Sequence, residues 1–174
     1  MWVGALARAE GGVLLRSTAG DRASAEAVVR RAHLLRDALH ALLAPDRRPQ
    51  AGEQTLAVFN GELQAAMRYA VLVVVDDGYE AGWLPVSSLD RVLWPVVRSA
   101  AELMASPALS RVRECQGRDC GWLFLDTSKA GRRRWCSMAV CGSRAKYERH
   151  RQRRKDLSRP SSTPADGKTS SRRN

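Results

Sequence analysis

Four cysteines near the C-terminal end are the residues whose spacing points most directly to chemistry. Cys115-x4-Cys120 is followed, fifteen residues later, by Cys136-x4-Cys141. Zinc takes four ligands in a tetrahedron, and two close cysteine pairs separated by the length of a strand and a turn are typical of zinc ribbons and treble clefs. The spacing therefore predicts that Cys115, Cys120, Cys136 and Cys141 bind one structural zinc ion.

Other uses of the four cysteines explain their arrangement less well than zinc does. Unligated core thiols would not cluster in a polar, basic segment, and disulfides need an oxidising compartment. A redox-active pair more often reads Cys-x-x-Cys beside a βαβ unit. A closed site of four cysteines also lacks the open position that a catalytic zinc ion keeps.

The residues between the two cysteine pairs must fold back on themselves to bring four thiolates together. Gly121–Leu125 is strand-like, a turn follows at residues 126–131, and Arg132–Trp135 is predicted to return as a second strand. This gives a β-hairpin with one cysteine pair before it and one after it. Cys141 directly precedes a helical pattern at Ser143–Leu157, so its thiolate is predicted to lie at a helix start, where the dipole favours negative charge.

Positive charge is concentrated around the same cysteines. The chain of 174 residues has a net charge of +11. Residues 1–110 nevertheless carry 11 basic and 12 acidic side chains, whereas residues 111–159 carry 15 and 5. This asymmetry predicts contact with an anionic partner at one end of the chain, and nucleic acid is the obvious one.

The predicted helix Ser143–Leu157 is polar on every side, and a helix of this kind needs a partner or ion pairs to be stable. Basic residues three and four positions apart would share one face of it. The predicted nucleic-acid contacts are the helix residues Arg144, Lys146, Tyr147, Arg151, Arg154 and Lys155, to which the hairpin residues Arg132, Arg133 and Arg134 add contacts with phosphates. Two alternatives stay open: a solvated charged helix, and contact with RNA or a ribosomal surface, because phosphate contacts carry no sequence information.

The segments before residue 108 alternate between helical and strand-like patterns, which predicts an α+β fold. The body is mostly helical with a few short antiparallel strands, and a small zinc-bound hairpin and helix follow it. The predicted elements are a short strand at Val13–Leu15, a helix at Ala25–Leu43 capped by Ser24, a second helix or connector at Thr55–Phe59 ending near Asn60-Gly61, strand-like residues from Leu63 to Val75, and a helix at Leu89–Met104 capped by Ser87 or Ser88 and kinked at Pro95.

Composition divides the chain into three predicted parts. These are an α/β body at residues 1–108, the cysteine module at 111–157, and a disordered basic tail at 158–174 with almost no apolar residues. The sequence has no Gly-rich phosphate loop and no nucleophile motif, so we expect no enzyme. It also has no signal-peptide pattern and no apolar run of membrane length, and we expect a cytoplasmic protein.

Two stretches closely resemble the CGNR-type zinc-finger proteins, a bacterial family regarded as stress-induced transcription regulators. They are Cys115-Gln-Gly-Arg-Asp-Cys120-Gly-Trp-Leu-Phe-Leu-Asp-Thr-Ser128 and Arg133-Arg-Trp-Cys-Ser-Met-Ala-Val-Cys-Gly-Ser-Arg-Ala-Lys146. The family's Cys-Gly-Asn-Arg motif reads Cys141-Gly142-Ser143-Arg144 here. Serine is a mild replacement for asparagine at a helix cap, but it would weaken a contact in which an asparagine amide reads a base.

The resemblance implies a zinc-dependent, DNA-binding transcription regulator, with DNA favoured over RNA and a location at the nucleoid. It also implies that the N-terminal α/β domain senses a small-molecule effector or a stress signal, and it leaves room for a homodimer. The family's usual opening, an apolar segment containing Asn-Thr, is not visible, which predicts that this chain begins late. Aromatic residues that could line an effector pocket, although core packing is favoured for them, are Tyr69, Tyr79, Trp83 and Trp94.

Overall fold

The computed structural model describes residues 21–157, and within them the α+β prediction is confirmed. The strand predicted at Val13–Leu15, the N-terminal opening and the tail at 158–174 lie outside the described residues. The helices and strands are α1 Arg22–Leu43, α2 Glu53–Met67, β1 Ala70–Val75, β2 Gly78–Trp83, α3 Trp94–Met104, β3 Val112–Glu114, β4 Leu123–Leu125 and α4 Ser143–Leu157.

The first helix begins earlier than its apolar pattern predicted. The side chain of Asp21 accepts a hydrogen bond from the backbone N–H of Ser24 at 2.9 Å. Asp21 is therefore the N-cap, and Ser24, the predicted cap, lies within the first turn. Aspartate is as good a cap as serine, so two candidate caps three residues apart could not be ranked from the sequence.

An aromatic cluster lies at the centre of the body. Trp94, which is 1% exposed, stacks on Tyr69 with ring centroids 4.5 Å apart, and Trp83 approaches Trp94 at 5.5 Å. Tyr79 is exposed on β2. Tyr69, Trp83 and Trp94 therefore form part of the core, as predicted, and α1, α2 and α3 supply the apolar residues around them. The prediction of core packing was wrong for Tyr79, whose position on β2 leaves its ring exposed.

The second helix runs through the predicted break at Asn60-Gly61 and ends at Met67. The strand-like interpretation of residues 63–67 was therefore wrong, and β1 begins only at Ala70. Burial of Phe59 and Ala66 against the core outweighs the cost of about 1 kcal/mol for a glycine within a helix. The predicted turn at Asp76-Asp77-Gly78 joins β1 to β2 in an antiparallel pair, with Val75 opposite Gly78.

The helix predicted to begin at Leu89 is divided in two. Leu89–Val92 forms a single 3-10 turn, and α3 begins at Trp94. Pro95 consequently lies in the first turn of α3, where no intrahelical N–H is required and no kink results. Neither predicted serine caps these elements through its side chain, and the Ser88 hydroxyl donates instead to the Asp90 carboxylate.

A partly buried ion pair holds the body together. Arg31 on α1 donates to both carboxylate oxygens of Glu62 on α2, at 2.7 and 2.8 Å, and lies 3.5 Å from Asp90 before α3. This bidentate geometry fixes the positions of two helices and the turn that leads into the third. None of the helices in the described part of the chain is long and apolar enough to cross a membrane.

Candidate metal centre and basic helix

The four cysteine sulfurs converge on one point. All four Sγ atoms lie within 4.8 Å of one another. Cys120, Cys136 and Cys141 form a triangle with sides of 3.7, 3.7 and 3.6 Å. A tetrahedral ZnS₄ centre with bonds of about 2.3 Å has S–S edges of about 3.8 Å, so the thiols have the spacing that zinc requires.

Backbone amides donate hydrogen bonds to one of the four cysteine sulfurs. The N–H groups of Gly117 and Cys136 donate to Cys115 Sγ at 3.4 and 3.3 Å. Burial favours a higher pKa for Cys115, but these donors, together with hydrogen bonds from the Cys136 and Cys120 thiols, outweigh it and lower the pKa to about 7. Its hydrogen bond with the Cys120 thiol and then burial raise the pKa of Cys141 to about 12. Four thiolates this close repel one another, so the charged form of the set needs a cation.

Gly117 lies so close to the ligands that a side chain there would be crowded. A Cβ atom there would be 3.0 Å from Cys141 Sγ and 3.1 Å from Cys141 Cβ. The loop that begins at Cys115 turns sharply on both sides of Cys120, where Asp119 and Gly121 have left-handed backbone angles, with φ of 57° and 62°. This loop therefore packs directly on the second cysteine pair.

The hairpin of the cysteine module was predicted in the wrong place. The strand β4 was expected within Gly121–Leu125, but it pairs with β3, not with residues 132–135. The first cysteine pair therefore lies in the connection between β3 and β4, and the residues predicted as a return strand form an irregular segment. The three residues of β3 are too few to show an alternating pattern in the sequence.

Asp126 organises that irregular segment, although it was not among the predicted site residues. It is fully buried, and it accepts hydrogen bonds from the N–H and hydroxyl of Ser128 at 2.9 and 2.6 Å and from the Arg133 N–H at 2.9 Å. The Ser128 hydroxyl is the main cause of the lowered pKa of Asp126, against the opposing effect of burial. The Asp-x-Ser sequence is a turn signal that could have revealed this role.

The basic helix begins directly from the metal centre, as predicted. Met138–Gly142 forms one wide helical turn that contains Cys141 and continues into α4. The Ser137 side chain accepts from Val140 N–H at 3.3 Å and caps this turn. The Ser143 hydroxyl donates to the Met138 carbonyl oxygen at 3.2 Å. Ser143 therefore supports the turn as a donor, and Ser137 is the cap.

The predicted nucleic-acid contacts on α4 fall on more than one face. One shallow groove along the helix is lined by Tyr147, His150, Arg151, Arg154 and Lys155, at the three- and four-residue spacing expected for a shared face. Arg144 lines a different depression, beside Glu148 and Arg149. Lys146 is exposed.

Of the three predicted contacts in the irregular segment, two make hydrogen bonds within the module and one is exposed. Arg132 is exposed. Arg133 lies 4.9 Å from the centre of the Phe124 ring and donates to the carbonyl oxygens of Trp135, at 2.8 Å, and Cys136. Arg134 donates to Gln116 Oε1 at 2.6 Å. The guanidinium groups of Arg133 and Arg134 thus brace the metal centre.

Two family models cover most of the chain. The family ABATE, described as "Putative stress-induced transcription regulator", matches residues 2–107, and the CGNR zinc finger matches residues 111–154. The chain belongs to the ABATE family. No curated protein matches it. The resemblance seen in the sequence is thereby confirmed, and the cysteine set and its geometry identify one structural zinc ion as the cofactor of the CGNR zinc finger.

The CGNR zinc finger contacts the ABATE body at the connection between β3 and β4. His40 Nε2 on α1 lies 3.0 Å from the Gly121 carbonyl oxygen, next to the ligand Cys120. Beside this hydrogen bond runs an apolar groove of about 620 Å³. Residues of both parts line the groove, among them Leu35, Leu39, Leu43, Val96, Trp122 and Leu123.

Proposed function

We propose that this chain is a zinc-dependent, DNA-binding transcription regulator rather than an enzyme. The observation that carries the proposal is the groove along α4, where Arg151, Arg154 and Lys155 lie on one face of a helix that begins at a zinc ligand. In the proposed complex this face lies along the phosphate backbone, and the zinc site fixes the direction of the helix.

The body and the zinc finger have separate roles in this proposal. Residues 1–108 form the regulatory unit, and residues 111–157 form the DNA-binding unit. Two arguments favour a helix that contacts phosphates over a charged helix that is only solvated. The side chains that line the groove include no carboxylate, and a cationic face of this kind gains counterion-release free energy on an anionic polymer.

A salt titration of duplex DNA binding tests the proposal. Each phosphate neutralised contributes about −0.9 to the slope of log K against log salt concentration. Contacts from Arg151, Arg154 and Lys155 would therefore contribute about −2.7, and the double variant Arg151→Ala/Arg154→Ala should reduce the slope by about 1.8. Arg47→Ala removes an exposed arginine of the body and should leave the slope unchanged.

Removal of zinc by a chelator gives the second arm of the same experiment. Binding should be lost with the metal, because a four-cysteine site supplies much of the folding free energy of a small module. Undiminished DNA binding by protein shown to contain no zinc would refute the mechanism. An unchanged salt slope in the double variant would instead refute the assignment of the groove.

Competition between nucleic acids separates DNA from RNA. Labelled duplex DNA is displaced with unlabelled duplex DNA in one series and with a structured RNA hairpin of equal charge in the other. We expect the duplex DNA to compete at the lower concentration. The opposite order would establish the alternative, an RNA- or ribosome-associated zinc module, because A-form RNA presents a different groove to the helix.

We place the effector of this regulator in the apolar groove between α1 and the zinc finger. Its volume is in the range of small-molecule sites, and the exposed ring of Trp122 on its wall suits a planar apolar ligand. An anilinonaphthalene sulfonate probe should gain fluorescence on the wild type and much less on Trp122→Ser. Equal fluorescence of the two proteins would place the effector elsewhere.

A further inference from the structure

The hairpin formed by β1 and β2 exposes an unusually apolar strand. Six residues, Ala70–Val75, contain no polar side chain, yet Leu72 is 72% exposed and Val74 is 81% exposed. On the opposite face of the strand, Val73 and Val75 are also exposed. A strand that is apolar on both faces is typical of the interior of a sheet.

Within residues 21–157 this strand has only one neighbour. β1 pairs with β2 in a sheet of two strands, so the backbone groups on its other edge have no strand partner among the described residues. A two-stranded hairpin is marginally stable by itself, and a long apolar edge strand is a template for pairing with another chain. The β1 edge is therefore suited to a further strand.

The charges on either side of β1 indicate that the further strand is a second copy of β1. Arg68 comes just before the strand, and Asp76 and Asp77 come just after it, and all three are exposed. If a second copy of β1 pairs antiparallel with the first, the basic end of each strand lies beside the acidic end of the other. A parallel arrangement would bring like charges together at both ends.

We propose that β1 is a dimer interface, in which two copies of this chain pair through the strand Ala70–Val75 in antiparallel orientation. A two-fold axis at Leu72, perpendicular to the sheet, puts only apolar residues of the two strands opposite one another and brings Arg68 of each copy toward Asp76 of the other. The same contact is made twice, as a two-fold axis requires. The four-stranded sheet that results has β2 at both edges.

The other edge of the hairpin is less suited to self-pairing. β2 carries Glu80 at its centre, opposite Val73, and β2–β2 pairing about that centre would bring two carboxylates together. Exposed charge is one of the ways in which proteins protect an edge strand. The difference between the two edges therefore favours β1 as the one that pairs with a second copy.

A charge-reversal series on the full-length, zinc-loaded protein tests the interface by analytical ultracentrifugation, with no DNA present. Arg68→Asp alone, and Asp76→Arg/Asp77→Arg together, should each weaken the dimer by on the order of 10- to 30-fold, because two symmetric attractions become repulsions. The triple variant that combines them should return to within about 3-fold of the wild type. Failure of the triple variant to restore the dimer would overturn the antiparallel β1 contact.

A second pair of variants tests the apolar part of the contact. Val74→Lys puts a charge at the most exposed position of the strand and should leave only monomer, with unchanged zinc content and circular dichroism. Val29→Lys makes the same change at an exposed valine of α1 and should leave the dimer intact. A wild-type protein that is monomeric throughout the concentration series, or a Val74→Lys dimer, would refute the proposal. Neither result bears on DNA binding by the zinc finger.

Discussion

Gly117→Ala should weaken zinc binding although it adds only one methyl group and removes no ligand. The new Cβ would lie 3.0 Å from Cys141 Sγ, 3.1 Å from Cys141 Cβ and 3.3 Å from Cys120 Cβ. The first two atoms belong to a buried ligand. The Gly117 backbone does not have a left-handed φ, so the expected cost comes from crowding and not from backbone strain.

The expected loss of zinc affinity can be calculated from the cost of overpacking a buried site. Overpacking a well-packed site costs about 1–3 kcal/mol, and each 1.4 kcal/mol is a tenfold change in affinity. If the strain is relieved when zinc leaves, the zinc dissociation constant should rise roughly 5- to 140-fold. Competition with a chromophoric chelator at fixed pH measures this constant for the wild type and the variant.

The control is the same substitution at a glycine with free space around it. Gly61 is exposed in the middle of α2, and a Cβ there would meet no atom within 4 Å. Gly61→Ala should leave zinc affinity unchanged. If Gly117→Ala bound zinc as tightly as this control, the packing of the loop against Cys141 would not determine zinc affinity, and the reasoning from the Cβ distances would be wrong.

Three further predictions concern stability. Gly61→Ala should stabilise the body by about 0.5–1 kcal/mol in denaturant unfolding, because alanine is the better helix former. Asp126→Asn should lower the thermal midpoint of the zinc-loaded module, since an amide cannot accept from both Ser128 and Arg133. Because these bonds lower the pKa of Asp126, the advantage of aspartate should be complete above the ordinary carboxyl value of about 3.9 and be lost as pH falls through the lowered pKa. His40→Ala should destabilise the junction with the zinc finger by about 0.5–1.5 kcal/mol, the usual contribution of one hydrogen bond; an unchanged denaturation midpoint would show that the contact with Gly121 contributes nothing.

The sequence predicted the metal site well because its information is local. Four cysteines at fixed spacing permit few arrangements, and zinc chemistry selects among them. The sequence also predicted the start of α4 beside Cys141, for the same reason. The hairpin around the first cysteine pair was not predictable from pattern, because β3 and β4 have three residues each and their pairing depends on the metal site that they surround.

Errors in the body have a different cause. The helix α2 continues through Asn60-Gly61 because Phe59 and Ala66 pack against residues of α1 and α3 that are distant in sequence. Local propensity is a weak effect, and burial in the core exceeds it.

In the cysteine module, a turn signal was visible at Asp126-x-Ser128. The importance of Asp126 also depends on the hydrogen bond from the Arg133 N–H, which only the fold brings near.

The basic helix is stable only in the context of the zinc site. It has almost no apolar face, and its like charges repel one another along its length, so isolated residues 143–157 would be a marginal helix. Cys141 lies in the turn that begins it, and Arg133 and Arg134 hold the preceding segment through carbonyl oxygens and Gln116. Arginines in this module therefore do two different jobs. Arg133 and Arg134 brace the metal centre, so their loss should reduce zinc affinity and, under the proposed function, DNA binding as well, whereas loss of Arg151 or Arg154 should reduce DNA binding alone.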